Sequence, residues 1–474
     1  MATPKAAIET MDVGSSPIER YQNVLGAEAW SEFSDAFSLL AERLRGRVVW
    51  NVNSTPRGGG VAELLASLIP YSRGAGIDER WVVIEGSREF FDFTKKAHTL
   101  LHGVAPDGSD VTREERRVYE ETMQRNTGPL LEMIRPGDVV VLHDPQTAGL
   151  VAALAAHGCQ VIWRSHIGVD QPNEMVRNAW RWLRPYLVDA AAYVFSRRAY
   201  VWDELESAKV HVIAPCIDPF TTKNEDLDDA SVNAILRASR ILPGPDGEAT
   251  FLRQDGAAGR VRRAAILSTT VPADARLVLQ VSRWDRLKDP AGVLQGFAEH
   301  VAPRSDAWLV LAGPSVHAVD DDPEQPEILA HLEAIRSALD PPIRQRIVIA
   351  QLPMEDIDEN AAIVNALQRR AYVVVQKSLA EGFGLTVAEA MWKAKPVVAS
   401  RVGGIEDQIE DGRSGILIAD PRDLRSFGDA VLGVLADEAK ARSLGQGARL
   451  RVLRQFLAPR YLKEQTELVS SLVA

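Results

Sequence analysis

Cysteine is scarce: Cys159 and Cys216 are the only two in 474 residues. They are too few for a disulfide framework and lack the paired spacing of a metal site, so a reducing, cytoplasmic setting is expected. Excess positive charge is missing too. Lys and Arg number 54 against 65 Asp and Glu, giving a net charge of −11 and a pI of about 5.5. That balance argues against nucleic acid or an anionic membrane as the main partner, and any anion site must be a local basic pocket. No apolar run is long enough to span a bilayer, since the longest, Leu150 to Trp163, is broken by His157 and Gly158. Met1 to Glu28 carries no apolar core of the signal-peptide kind. No repeat of solenoid period is present. The glycine loop Ser54 to Gly60 is not a G-x-x-x-x-G-K-[ST] loop, which removes the ATPase reading, and does not match a dinucleotide G-x-G-x-x-G. Asp320-Asp321-Asp322 and Asp356-Ile357-Asp358 contain D-x-D spacings, but neither follows an apolar strand. Loop and helix-start acids explain them, and no metal is expected.

What is present is an alternation of short apolar runs and helical stripes over a length that exceeds one core and suggests two domains. Residues 1–25 read as a polar N-terminal arm. A helix with Trp30, Phe33, Phe37, Leu40 and Leu44 on one stripe stops at Gly46. Strands are expected at Val48–Val52, Trp81–Ile84, Asp138–Leu142, Gln160–Trp163 and Lys209–Ala214, with helices over Glu89–His102 and Arg113–Ile134. Domain bounds follow: 26–242 for the first domain, 243–272 for a Pro- and Gly-rich linker with an insertion, 273–450 for the second domain, and 451–474 for a closing helix. The second domain opens on strand Arg276–Val281 and continues through strands at Trp308–Leu311, Arg346–Gln351 and Ala371–Gln376.

Polar residues at the carboxyl ends of parallel strands face the ligand crevice of an open sheet. Three such ends stand out. Strand Val48–Val52 runs into Gly58-Gly59-Gly60, where Gly59 and Gly60 let backbone approach a ligand ahead of a helix; by itself this loop also reads as plain surface. The next two end in His143-Asp144-Pro145-Gln146 and Arg164-Ser165-His166-Ile167. Asp144, Gln146 and His166 make a sugar-hydroxyl site, although a lone histidine is more often a satisfied core residue. In the second domain, strand Arg276–Val281 leads to Arg283 and Lys288, cations able to neutralise a diphosphate or simply to pair with Asp285 and Asp289.

Strand Ala371–Gln376 leads through Glu381-Gly382-Phe383-Gly384 into a helix over Leu385–Lys393 that stops before Pro396. Its N-terminus and the glycine turn suit a phosphate, with N–H groups of Phe383, Gly384 and Leu385 as donors. Thr386-Val387-Ala388-Glu389 also fits a capping box, which would tie Glu389 to backbone and not to a ligand.

Glu381 and Glu389, spaced E-x7-E around Gly-Phe-Gly, resemble the signature of retaining, family-four, GT-B glycosyltransferases. Glu389-Ala390-Met391-Trp392-Lys393, Val402-Gly403-Gly404-Ile405, His143-Asp144-Pro145-Gln146 and the Trp163–Ile167 segment resemble its trehalose-forming synthase branch, with the related trehalose phosphorylases close behind. Arg283 and Lys288 match the family's diphosphate-binding Arg-x4-Lys. The 243–272 insertion departs from the compact pattern. The resemblance implies an α/β GT-B fold, two Rossmann-like doubly wound parallel-sheet domains facing each other across a cleft, with the last helix returning to the first domain. It implies a hexosyltransferase moving glucose from a nucleoside diphosphate glucose (UDP- or ADP-glucose) to glucose to give α,α-trehalose. A trehalose phosphorylase using inorganic phosphate, and a non-catalytic nucleotide-sugar regulator, remain alternatives. Arg283, Lys288 and Glu381 carry the chemistry in this reading. Gly59, Gly60, Gly382, Phe383, Gly384, Leu385 and Glu389 bind the nucleotide sugar with them, and Asp144, Gln146 and His166 hold the acceptor. No cofactor beyond the donor sugar is expected, and the partners are small molecules, with a homodimer as an open option.

Overall fold

The computed structural model describes residues 8–56, 60–104, 110–245, 247–316 and 324–473. It divides into two compact units, Met1–Cys216 with Ala458–Ala474, and Ile217–Leu457. Among the described residues no helix is long and apolar enough to cross a membrane.

The first unit is built on strands β1 (Glu9–Met11), β2 (Val49–Asn53), β3 (Glu79–Val83), β4 (Val139–His143), β5 (Gln160–Ser165), β6 (Ala192–Phe195) and β7 (Val210–Val212). Their order across the sheet is β1-β3-β2-β4-β5-β6-β7, all parallel except β1. Val139 to Leu142 are enclosed, as expected of a parallel strand covered on both faces. One face packs on aromatic-rich helices Arg88–Leu101, Arg113–Met133 and Glu174–Leu183. The closing helix Ala458–Leu472 packs on helix Ala27–Arg43, where Lys463 pairs with Glu32 at 2.6 Å and Arg43 donates to the Ser470 carbonyl at 3.0 Å.

The second unit holds the hairpin β8 (Thr250–Leu252) and β9 (Ala258–Arg260), then β10 (Ile266–Leu267), β11 (Leu277–Val281), β12 (Trp308–Pro314), β13 (Ile347–Leu352), β14 (Val373–Gln376), β15 (Val397–Ser400) and β16 (Ile416–Ile418). Its main sheet runs β10-β13-β12-β11-β14-β15-β16, parallel except for β10.

Both sheets reverse direction once. In the first, the chain winds from β2 to β3 and then crosses to β4. In the second, it winds from β11 through β12 and β13 and then crosses to β14. A crevice opens at the carboxyl ends of the strands flanking such a reversal, where neighbouring connections leave on opposite faces. The loops after β2 and β4, and those after β11 and β14, stand at these two points.

Three expected boundaries move. The arm over 1–25 is, from residue 8 onward, part of the first unit: β1 pairs with β3, and Tyr21 is fully buried against Phe33 and Tyr71. Residues 217–242, expected in the first domain, belong to the second unit. There Asn365 donates to the Thr222 and Glu225 carbonyls at 3.0 and 2.9 Å, and helix Asp229–Ala238 lies on helix Ile357–Arg370. Residues 243–272 are likewise not a linker. Arg253 pairs with Asp356, the Arg263 N–H donates to Glu359 at 2.7 Å, and β10 extends the sheet. The Gly- and Pro-rich composition forms a hairpin held by distant charged partners. Asp356 also caps helix Ile357–Arg370 through the Asp358 and Glu359 N–H groups.

Candidate active site

In the second unit the loops after β11 and β14 are tied together. The Leu379 N–H donates to the Leu287 carbonyl at 2.7 Å, and Gln280 at the end of β11 donates to the Lys288 carbonyl at 2.8 Å. This fastening sets Lys288 Nζ at 2.6 Å from both oxygens of Glu381, the Lys side chain 20% and the Glu side chain 8% exposed. Ser378, itself held by Gln376, donates to the second Glu381 oxygen at 3.2 Å. The structure thus brings together two of the three residues that carry the chemistry in the sequence reading. Arg283 stays at the surface, its side chain 65% exposed, 3.4 Å from Asp285.

The glycine turn shows how the local sequence sets amide direction. Gly384 has φ +84°, a left-handed conformation that glycine adopts without strain, and serves as the N-cap of helix Leu385–Trp392. Three successive carbonyls are bound: that of Gly382 by the Gly404 N–H at 2.9 Å, those of Phe383 and Gly384 by Gln408 Nε2. In a trans peptide the N–H points opposite to the C=O. Binding these carbonyls on one side therefore turns the N–H groups of Phe383, Gly384 and Leu385 to the other. Gly404 is required for the contact: a Cβ there would lie 2.6 Å from Phe383 Cα. The Gly384 cap brings no side chain to this helix, so its first turn offers donors and the positive end of its dipole.

The capping-box reading of Glu389 is overturned. With Gly384 at the N-cap, Glu389 lies beyond the third helical position, and its side chain is 7% exposed. Lys223 Nζ is 3.7 Å from one oxygen, and Gln368 Nε2 lies 3.5 Å from the other. One turn on, buried Lys393 donates to the Glu389 carbonyl and to Asn224 Oδ1. Burial brings the Lys393 ammonium down to about 7, against the pull of Glu389.

Sequence reasoning missed Lys377, whose side chain is fully buried, paired with Asp289 and donating to the Pro421 carbonyl at 2.6 Å. Asp289 in turn caps helix Pro290–Gly296 from a left-handed conformation. A lysine directly after a strand of valines, Val373 to Gln376, was the available signal. Lys393, four residues after Glu389 and so on the same helical face, was another.

In the first unit, Gly59 lies outside the described residues, as does the Asp320–Asp322 run of the second. Gly60 opens helix Gly60–Gly74. Asp144 follows β4 with φ +62°, a conformation that Asp tolerates better than most side chains. Its carbonyl accepts from Trp163 Nε1 at 3.0 Å, and its Oδ1 accepts from the His166 N–H at 2.7 Å. The structure thus brings Asp144 and His166 together. Gln146, two residues on, has a buried Oε1 without a hydrogen-bond partner among the described residues. Burial raises the Asp144 carboxyl to about 7, although the His166 N–H and the Arg164 guanidinium pull it down.

His143 and His166 face each other, Nδ1 to Nε2, at 3.1 Å. Burial, with Arg164 nearby, lowers His143 to about 3 and His166 well below its ordinary value, so both are neutral at pH 7. Arg164 is itself buried, donating to the Ile213 carbonyl at 3.1 Å and lying over the Tyr461 ring at 4.8 Å. Behind His143 stand Asn51, in the middle of β2, and Glu79, at the start of β3, which sequence reasoning also left out.

Residues 51–202 match the family described as trehalose synthase, N-terminal domain, and residues 262–451 match glycosyl transferases group 1. A trehalose synthase from Rubrobacter xylanophilus is 35% identical over 471 residues, spanning 98% of this chain and 99% of that one. A trehalose synthase from Pyrococcus horikoshii is 32% identical over 465 residues, spanning 98% and 99%. A trehalose phosphorylase from Pleurotus sajor-caju is 28% identical over 483 residues, 94% of this chain and 60% of the relative. Among solved structures, an α,α-trehalose 6-phosphate synthase from Burkholderia multivorans superposes with a TM-score of 0.63 at 15% identity, covering 90% of this chain and 98% of that one. A sucrose-phosphate synthase from Thermosynechococcus elongatus gives 0.62 at 17% identity, covering 90% and 99%. With two doubly wound parallel sheets and full-length relatives of this kind, the chain belongs to the trehalose synthase family of GT-B glycosyltransferases and is a hexosyltransferase of trehalose-related carbohydrate metabolism.

Proposed function

We propose that the enzyme transfers glucose from UDP- or ADP-glucose to free glucose with retention of configuration, forming α,α-trehalose. The observation that carries this reading is the turn Gly382–Gly384, its three carbonyls bound on one side, at the same sheet reversal as Lys288. Outward amides, a helix N-terminus and an ammonium group suit a departing diphosphate better than a neutral leaving group. Lys288 has three hydrogens, so pairing with both Glu381 oxygens leaves one for a phosphate oxygen. Arg283 adds a planar guanidinium, and together these cations do the neutralising that a metal ion does in other transferases. Glu381 accepts from donor-sugar hydroxyls and Glu389 from the ribose. Asp144, Gln146 and His166 hold the acceptor glucose.

In the reaction, the bond from the anomeric carbon to the diphosphate oxygen breaks and its electron pair leaves with the diphosphate. The acceptor hydroxyl bonds to the anomeric carbon on the same face, and its proton passes to the departing phosphate oxygen. The phosphorylase relatives favour a second reading, in which inorganic phosphate cleaves trehalose. One experiment separates them: UDP-, ADP- and GDP-glucose each with glucose, and in parallel trehalose with phosphate. Nucleotide-dependent disaccharide is expected. Glucose 1-phosphate from the second mixture alone would replace this reading with the phosphorylase, and nucleotide-sugar binding without turnover in either would leave a regulator.

A further inference from the structure

A line of side-chain hydrogen bonds runs from the His166 ring into the first sheet. Glu79 Oε1 lies 2.7 Å from Asn51 Nδ2, Asn51 Oδ1 lies 3.0 Å from His143 Nε2, and His143 Nδ1 lies 3.1 Å from His166 Nε2. Glu79, Asn51 and His143 are 7%, 1% and 2% exposed, so little water competes for these contacts. A neutral imidazole carries one N–H and one bare nitrogen. The direction of each bond in the line therefore fixes the next.

Burial raises the Glu79 carboxyl, while the hydrogen bonds from Ser72 and Asn51 draw it down. In its ionised form it only accepts, which makes the Asn51 amide donate to Glu79, as the 2.7 Å contact from Nδ2 has it, and leaves the Asn51 oxygen facing His143. His143 must then hold its hydrogen on Nε2, leaving Nδ1 bare to accept from His166. We infer that Glu79, acting through Asn51 and His143, is a positioning residue that holds His166 as its Nε2–H tautomer. His166 is thereby left with a bare Nδ1, able to accept from a sugar hydroxyl but not to donate to one. Its backbone N–H, bound to Asp144 Oδ1 at 2.7 Å, anchors the main chain that carries the ring. The role in sugar binding rests on the transferase reading, whereas the tautomer itself does not.

Glu79→Gln is the test, because glutamine has the same shape and offers either an oxygen or an N–H at that place. Asn51 is then free to face either way, as it would be beside a protonated Glu79. With ¹⁵N-labelled histidine, long-range ¹H–¹⁵N spectra of the wild-type chain are expected to show His166 and His143 as single Nε2–H tautomers. In Glu79→Gln, His166 is expected to become a mixture, with kcat/KM for the acceptor sugar falling about tenfold and KM for the nucleotide sugar unchanged. An Nδ1–H tautomer of His166 in the wild type overturns the inference whether or not the variant folds. A single Nε2–H tautomer that persists in a folded Glu79→Gln chain overturns it as well. Neither spectrum needs substrate, so the failure of this inference and the failure of the transferase reading, which the nucleotide-sugar panel decides, are distinguishable.

Discussion

The two sheet reversals share one architecture and carry opposite electrostatics. After β11 and β14 the polar groups are charged and paired: Lys288 with Glu381, Lys377 with Asp289, Arg283 beside Asp285. After β4, and after its neighbour β5, they are neutral or held near neutrality by burial, with His143 and His166 uncharged and Asp144 raised to about 7. A strand end supplies only a position. The loop beyond it determines whether that position suits phosphate oxygens, which need cations and aimed amides, or sugar hydroxyls, which need fixed donors and acceptors. The difference makes separate demands on the two sites, and substitutions can test each.

The largest effect is expected on the charged side. Lys288→Ala removes the ammonium that faces both Glu381 oxygens, so kcat should fall on the order of 10²–10³-fold, as for other single donors to a developing anion. Steady-state rates of disaccharide formation, with thermal unfolding as a control for the fold, provide the check. Turnover near that of the wild type would show that charge at this reversal serves structure alone.

On the neutral side, the expected signature lies in stability. The folded protein holds the Asp144 proton up to about 7, while the unfolded chain releases it in the ordinary carboxylate range. Between those two limits the native state binds more protons, so stability falls as pH rises, and above about 7 the penalty is complete. Asp144→Asn keeps an oxygen for the His166 N–H, suits φ +62° and never ionises. It should gain on the order of 1–2 kcal/mol over the wild type at pH 8, some solvent contact at Asp144 limiting the gain, and nothing at pH 3. Acceptor binding should weaken at the same time. Unfolding temperatures of both proteins across pH measure the difference, and a constant offset would mean that the carboxyl ionises freely in the fold.

How much of this was legible depended on whether a residue's partner lay nearby in the chain. Valine runs such as Val139–Val141 and Val373–Val375 announced buried parallel strands, and the E-x7-E and Arg-x4-Lys spacings marked the charged reversal before any geometry was known. Residues 217–272 did not announce themselves. Their order comes from Asp356, Glu359 and Asn365, about a hundred residues away or more; 217–242 continue the first domain in sequence, and the composition of 243–272 alone resembles a linker. The line from Glu79 to His166 was equally hidden, because Asn51 appears only as a polar interruption in an apolar strand and Glu79 as one charge of Asp78-Glu79-Arg80, ahead of the strand expected at Trp81–Ile84. Gly384 misled in a different way. Thr386 offered a plausible cap, but the left-handed glycine two residues earlier starts the helix and moves Glu389 out of the capping position.

That shift makes Glu389 the finest test of the contrast, since it is a charged residue in the charged unit yet enclosed like those of the neutral site. Glu389→Gln preserves its size and removes its charge. If the carboxylate accepts from both ribose hydroxyls, an amide serves them unequally, and the dissociation constant for the free nucleoside diphosphate should rise about three- to tenfold, within the range of one ordinary hydrogen bond. Titration calorimetry with UDP and ADP measures this directly. The competing role is visible in the same structure: Lys223 stands 3.7 Å from Glu389, and Lys393 lies one helical turn away with its ammonium brought down to about 7. Were Glu389 only their counter-charge, the substitution would leave nucleotide affinity unchanged. It would instead lower the Lys393 value further, because the attraction that opposes its burial would be gone.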